Sequence, residues 1–71
     1  MSTDICERFG LRIRELRHAK GVSQIELSEK IGIEQPYLSL VENGKTEPCL
    51  RNIELMAIGL DVPLGKLFST L

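Results

Sequence analysis

Between Ser23 and Lys45 the chain reads SQIELSEKIGIEQPYLSLVENGK, and this stretch leaves little choice of local structure. Ser23 followed three residues later by Glu26 is a capping box, in which the hydroxyl takes one backbone N–H and the carboxylate returns to another. Leu27 and Ile31 then share one helical face, and Gly32 supplies the left-handed residue on which such a helix stops. A helix tolerates proline only in its first turn, so Pro36 marks a second helix beginning near Gln35. Leu38 and Val41 turn this helix back onto the first, while Gln35, Pro36, Ser39, Leu40 and Asn43 face away. Asn43-Gly44 is expected to end it with a left-handed pair.

The flanks read as helices too. A first helix is expected from about Asp4 to Ala19, with Asp4 and Glu7 in capping-box spacing and Ile5, Phe9, Ile13 and Leu16 on one face. Gly21 closes it. Gly10 inside it costs ~1 kcal/mol relative to alanine, which points to another helix passing close by. Ser28, small and four residues before Gly32, leaves similar room on the second helix. After the polar loop 45–48, Ile53, Met56, Ala57 and Leu60 give a helix over about Leu50 to Leu60. A short fifth helix follows Pro63 and carries Leu64, Leu67 and Phe68. The expectation is an all-α, compact five-helix bundle: one domain, 1–71, with a helix-turn-helix at 23–43 and C-terminal helices at 49–71.

With 71 residues the chain is near the lower limit for a core that folds without staples. Its net charge of −1 conceals an uneven distribution. Arg8, Arg12, Arg14, Arg17 and Lys20 crowd the first third, so a local basic rim for nucleic acid is compatible with the near-neutral total. Few neutralised phosphates imply weak non-specific binding and a modest salt slope. Cys6 and Cys49 are far apart with no CxxC and no nearby histidine, His18 being the only one, so neither a redox nor a metal role is expected. No nucleophile elbow, phosphate-cradling glycine loop or paired acids around a cleft occurs, so an enzyme, a cofactor and a small-molecule substrate are not expected. No run nears the ~20 apolar residues of a membrane span and no apolar signal segment is seen, so the expectation is a cytoplasmic protein without a membrane partner.

From Arg12 to Phe68 the chain resembles the phage-repressor type helix-turn-helix family, also called Cro or XRE. The resemblance rests on Arg14 and Arg17 before Gly21; Ser23-Gln24; Leu27, Ser28, Ile31 and Gly32; and Tyr37-Leu38-Ser39. It continues through Val41-Glu42-Asn43-Gly44-Lys45, Pro48-x-Leu50, and Leu60-x-Val62-x-Leu64-x-x-Leu67-Phe68. In size and in its GLDV turn the chain is similar to short controller proteins of restriction–modification systems. The resemblance implies a lambda-repressor-like domain that binds double-stranded DNA, with the second helix across the backbone and the third in the major groove. Its helix-two N-terminus, with Ser23 and Gln24, would face one phosphate, Gln24 also being placed to brace Gln35. Asn43, Lys45 and nearby backbone N–H groups would meet a second, with Arg14 and Arg51 as further backbone contacts. Gln35 suits adenine N6 and N7, while Pro36, Tyr37, Ser39 and Leu40 complete the reading face. Tyr37 is equally suited to half-buried packing. Leu40 stands where relatives often carry Arg or Gln, which suggests thymine contact or shape readout there. Glu34 replaces the usual Ser or Thr cap, and its carboxylate can serve as one. Arg17 and Glu42 are expected to form a structural ion pair between the first and third helices.

One such domain buries little DNA surface, so a homodimer on a pseudo-palindromic operator is expected, blocking or recruiting polymerase according to operator position. The dimer residues are expected to be Leu64, Phe68 and Leu71 with the fourth helix, Leu64 and Leu67 also completing the monomer core. The alternative is a protein-binding helical module, such as an antitoxin or bridging adaptor, favoured by exposed Ile25 and Leu40 and by the apolar C-terminal cluster.

Overall fold

A computed structural model describes residues 4–71, so the first three residues of the expected domain lie outside it. Its elements are α1 (Ile5–Ala19), α2 (Gln24–Ile31), α3 (Gln35–Glu42), α4 (Leu50–Leu60) and a 3₁₀ segment at Leu64–Phe68, with no strand among the described residues. The all-α bundle stands, but with four α-helices instead of five. Between Pro63 and Ser69 there is room for little more than one turn. There Lys66 N–H donates to the Pro63 carbonyl three residues back at 2.9 Å, the tighter 3₁₀ pattern.

Local chemistry accounts for most of the boundaries. Asp4 accepts the Cys6 and Glu7 N–H groups at 2.7 and 3.3 Å and starts α1. Ser23 and Glu26 form the full reciprocal box on α2, and Gly32 leaves it at φ 71°. Pro36 sits in the first turn of α3, but Glu34 makes no side-chain cap, contrary to expectation. At the other end of α3 only Gly44 is left-handed (φ 69°), whereas Asn43 has φ −94°. The asparagine amide donates instead to the Ser39 carbonyl at 2.8 Å, one helical turn back, which ties it to the helix.

One apolar cluster joins every element: Phe9, Ile13 and Leu16 from α1, Leu27 from α2, Leu38 and Val41 from α3, Met56, Ala57 and Leu60 from α4, and Leu67. Leu64 does not complete it. That side chain is 42% exposed, because the 3₁₀ turn puts Leu67 inward and leaves Leu64 on the outer side. Gly10 is the point of closest approach between α1 and α3, facing the carbonyls of Val41 and Glu42.

Asp61 ends α4 at φ 57°, in the left-handed region where glycine is the usual residue. Its charge also faces the negative end of the α4 dipole. Both effects have the same sign, so Asp61→Gly should stabilise the fold by about 0.5–1 kcal/mol. Thermal unfolding should register this as a rise of roughly 2–8 °C.

Candidate nucleic-acid interface

The outward side of α3 and the two ends flanking it form the candidate surface. Pro36 and Leu40 are exposed there, Gln35 and Ser39 half-buried, and Asn43 and Lys45 exposed where the helix ends. At the start of α2 the Ser23 hydroxyl oxygen accepts the Glu26 N–H at 3.0 Å. Hydrogen bonds from the Ser23 backbone and side chain hold the exposed Glu26 carboxyl below its ordinary value, so a negative charge sits beside this end of α2.

Beneath the surface lies a polar network centred on Glu42, which is only 2% exposed. Arg17 donates to it twice, Nε to Oε2 at 2.8 Å and Nη2 to Oε1 at 3.0 Å, and spends Nη1 on the Val22 carbonyl at 3.0 Å. Gln24 Nε2 donates to Glu42 Oε1 at 3.2 Å, and Gln24 Oε1 accepts from Gln35 Nε2. Burial pushes the Glu42 carboxyl up. The hydrogen bonds from Arg17 and Gln24, with the charges of Arg17 and Arg14, outweigh this and hold it below its ordinary value. The expected Arg17–Glu42 pair is thus present, and it continues to the first residue of the outward helix. Gln24 takes the bracing position open to it, and among the described residues nothing engages the Gln35 carbonyl or its second N–H.

Arg14, Asn43 and Ser39 also come together. Arg14 Nη2 donates to Asn43 Oδ1 at 2.9 Å, and Asn43 Nδ2 in turn reaches the Ser39 carbonyl. The backbone N–H groups of Asn43, Gly44 and Lys45 bond the carbonyls of Ser39, Val41 and Leu40. These three bonds close α3. Lys45 and Arg51 are exposed and have no ion pair among the described residues.

The basic residues of the first third do not form one rim. Arg8 and Arg12, four apart on one face of α1, reach the C-terminal segment: Arg8 Nη1 donates to the Leu71 carbonyl at 2.8 Å, and Arg12 to the Lys66 carbonyl and Ser69 hydroxyl. Arg17 is buried. Arg14 lies beside α3 with part of its charge exposed.

Tyr37 is half-buried against the core, and its hydroxyl accepts a hydrogen bond from Asn52 Nδ2 at 3.2 Å. Asn52 is the residue that sequence reading missed. The available clue was its place one turn before the core residue Met56, which sets a polar side chain on the inner side of α4.

Phe68 stacks on Phe9 with centroids 5.5 Å apart yet stays 43% exposed, and Leu71 is half-buried. Ile5, Cys6, Phe9, Pro48, Ile53 and Phe68 line an apolar groove here. Leu50 and Ile58 of α4 are also exposed. Both cysteines are free, and partial burial with the Asp4 and Glu47 carboxylates raises the Cys6 thiol. Among the described residues no group of His, Cys, Asp and Glu is placed to hold a metal ion, and no helix is long and apolar enough to cross a membrane.

A helix-turn-helix family model matches residues 13–67. The control protein C.MunI of a Mycoplasma species is 39% identical over 67 residues, covering 93% of this chain and 90% of that protein. The transcriptional regulator SinR of Bacillus subtilis is 41% identical over 62 residues, 86% of this chain but 56% of SinR. Among solved structures, the restriction–modification controller protein C.AhdI from Aeromonas hydrophila superposes with a TM-score of 0.87 at 41% identity, covering 89% of this chain and 96% of that one.

Proposed function

The chain belongs to this helix-turn-helix family of DNA-binding transcription regulators, and from that premise we propose that it binds a pseudo-palindromic operator as a homodimer, α3 of each protomer entering the major groove. The observation that carries the proposal is Gln35, fixed by Gln24 at the start of α3 with a donor and an acceptor unengaged. Such a pair matches the major-groove edge of a base. In this reading Gln35, Pro36, Tyr37, Ser39 and Leu40 face the bases. Arg14, Ser23, Gln24, Asn43, Lys45 and Arg51 position the domain on the backbone, through side chains and the α2 N-terminus. Arg17 and Glu42 act structurally, holding α3 to α1. No cofactor, metal or small-molecule substrate takes part, and the protein acts in the cytoplasm. The whole of 1–71 serves as one DNA-reading domain, with 49–71 providing the dimer surface.

For the dimer, we assign the interface to Leu64, Phe68 and Leu71 with the exposed Leu50 and Ile58 of α4, apolar side chains left wholly or partly open to solvent. Pairing there would set two reading helices roughly 34 Å apart, one DNA turn. A duplex selected from a random pool tests both parts at once. The wild type should bind as two protomers per duplex, with affinity falling as salt rises. Gln35→Ala should lose about 1–3 kcal/mol at one base pair per half-site, while Lys45→Ala should weaken all sequences alike and reduce the salt slope by about 1. If neither substitution alters DNA binding, the protein-binding module becomes the better reading.

A further inference from the structure

A carboxylate accepts hydrogen bonds and donates none. Glu42 therefore dictates which way its neighbours point. Held by two bonds from Arg17, its Oε1 also takes the Gln24 amide hydrogen, so the Gln24 carbonyl is left facing Gln35. Gln35 must answer with an N–H. What remains on its amide is one carbonyl and one N–H. Reversing Gln24 would reverse Gln35 as well, engaging its carbonyl and turning both N–H groups outward.

These two states select different bases. Adenine shows the major groove an acceptor at N7 and a donor at N6, which pair with one N–H and one carbonyl. Guanine shows acceptors at both N7 and O6, which pair with two N–H groups. We propose that Glu42 is a specificity-determining positioning residue: from inside the domain, through Gln24, it sets the polarity of the Gln35 amide and so selects adenine over guanine. This rests on the assignment of Gln35 to a base in the proposed function.

The expected readout is a ratio, not an affinity. The position read by Gln35 is first located as the base pair whose preference Gln35→Ala flattens in a selected duplex. Binding is then measured to duplexes with A·T or G·C at that pair. The wild type should prefer A·T by roughly 10–100-fold. Arg17→Met/Glu42→Met replaces the ion pair by apolar side chains, and Gln24→Leu cuts the connection with the ion pair intact. Each should bring the ratio to within about threefold. Lys45→Ala should lower both affinities and leave the ratio unchanged.

A wild-type ratio in Gln24→Leu overturns the proposal whether or not the double variant folds. Collapse in Gln24→Leu with the ratio kept in a folded double variant reduces Gln24 to a passive brace and overturns the role of Glu42. In both cases a flattening by Gln35→Ala leaves the base reading standing. If Gln35→Ala flattens no position, the base reading and the inference fall together.

Discussion

Glu42→Ala is expected to remove about 3–5 kcal/mol of folding stability, measured as a lower urea midpoint at neutral pH. The cost arises from what stays behind. Arg17 is buried, and it would lose both acceptors on Glu42 and keep only the Val22 carbonyl. A domain of this size has roughly 4–11 kcal/mol in total, at about 0.05–0.15 kcal/mol per residue, so the variant should be partly unfolded or close to it. Replacing Arg17 and Glu42 together by methionine should be much milder, since neither charge is then stranded.

The same pair predicts a pH dependence. In the folded chain the Glu42 carboxyl lies below its ordinary value of 4.5. The folded protein therefore holds this proton less tightly than the unfolded chain does, and stability is lost on acidification. The contribution is complete above 4.5 and disappears as pH falls through the lower folded value. Urea midpoints recorded from neutral pH downward should show a steeper acid decline in the wild type than in the methionine pair. Equal declines would mean that other carboxylates account for it.

What could be read from residues alone was whatever is decided within a few positions. The Ser23–Glu26 box, the Gly32 stop and the Pro36 start each depend on a neighbour at most four residues away, and each appears in the structure as read. The close approach at Gly10 was legible for a related reason: a helix keeps glycine at a cost only where something fills the space of a side chain. Destinations of long side chains were not legible. Arg8 and Arg12 look like DNA-facing charges until the chain returns 54 to 63 residues later and presents carbonyls to them. Leu64 was misjudged because a 3₁₀ turn leaves little trace in apolar periodicity. Asn52 beneath Tyr37 likewise depends on how α4 crosses α3, a tertiary fact.

Gly10→Val should be the second severe substitution, costing about 3 kcal/mol or more, with Gly10→Ala at about 1–2 kcal/mol. A Cβ built at Gly10 meets the Glu42 carbonyl oxygen at 2.7 Å and its carbon at 2.9 Å, and crowds the Val41 oxygen more closely still. All three atoms are backbone, so no side chain can rotate away and α3 itself must move. Alanine should regain ~1 kcal/mol of helix propensity, which is why its net cost is the smaller. Gly59 is crowded as well: an added Cβ would press on Ile31 Cγ2, held by the stiff χ1 of a β-branched side chain, and on Leu27 Cδ1 at 2.8 Å, so Gly59→Ala should also cost stability. Gly65→Ala, with nothing within 4 Å, should be close to neutral. The atoms displaced by a residue at Gly10 belong to the last turn of α3, beside Glu42 and Asn43. Operator affinity should therefore fall in Gly10→Ala even at temperatures where circular dichroism finds the protein fully folded. A Gly10→Val protein with the wild-type urea midpoint would show that α1 and α3 do not meet at this point in solution.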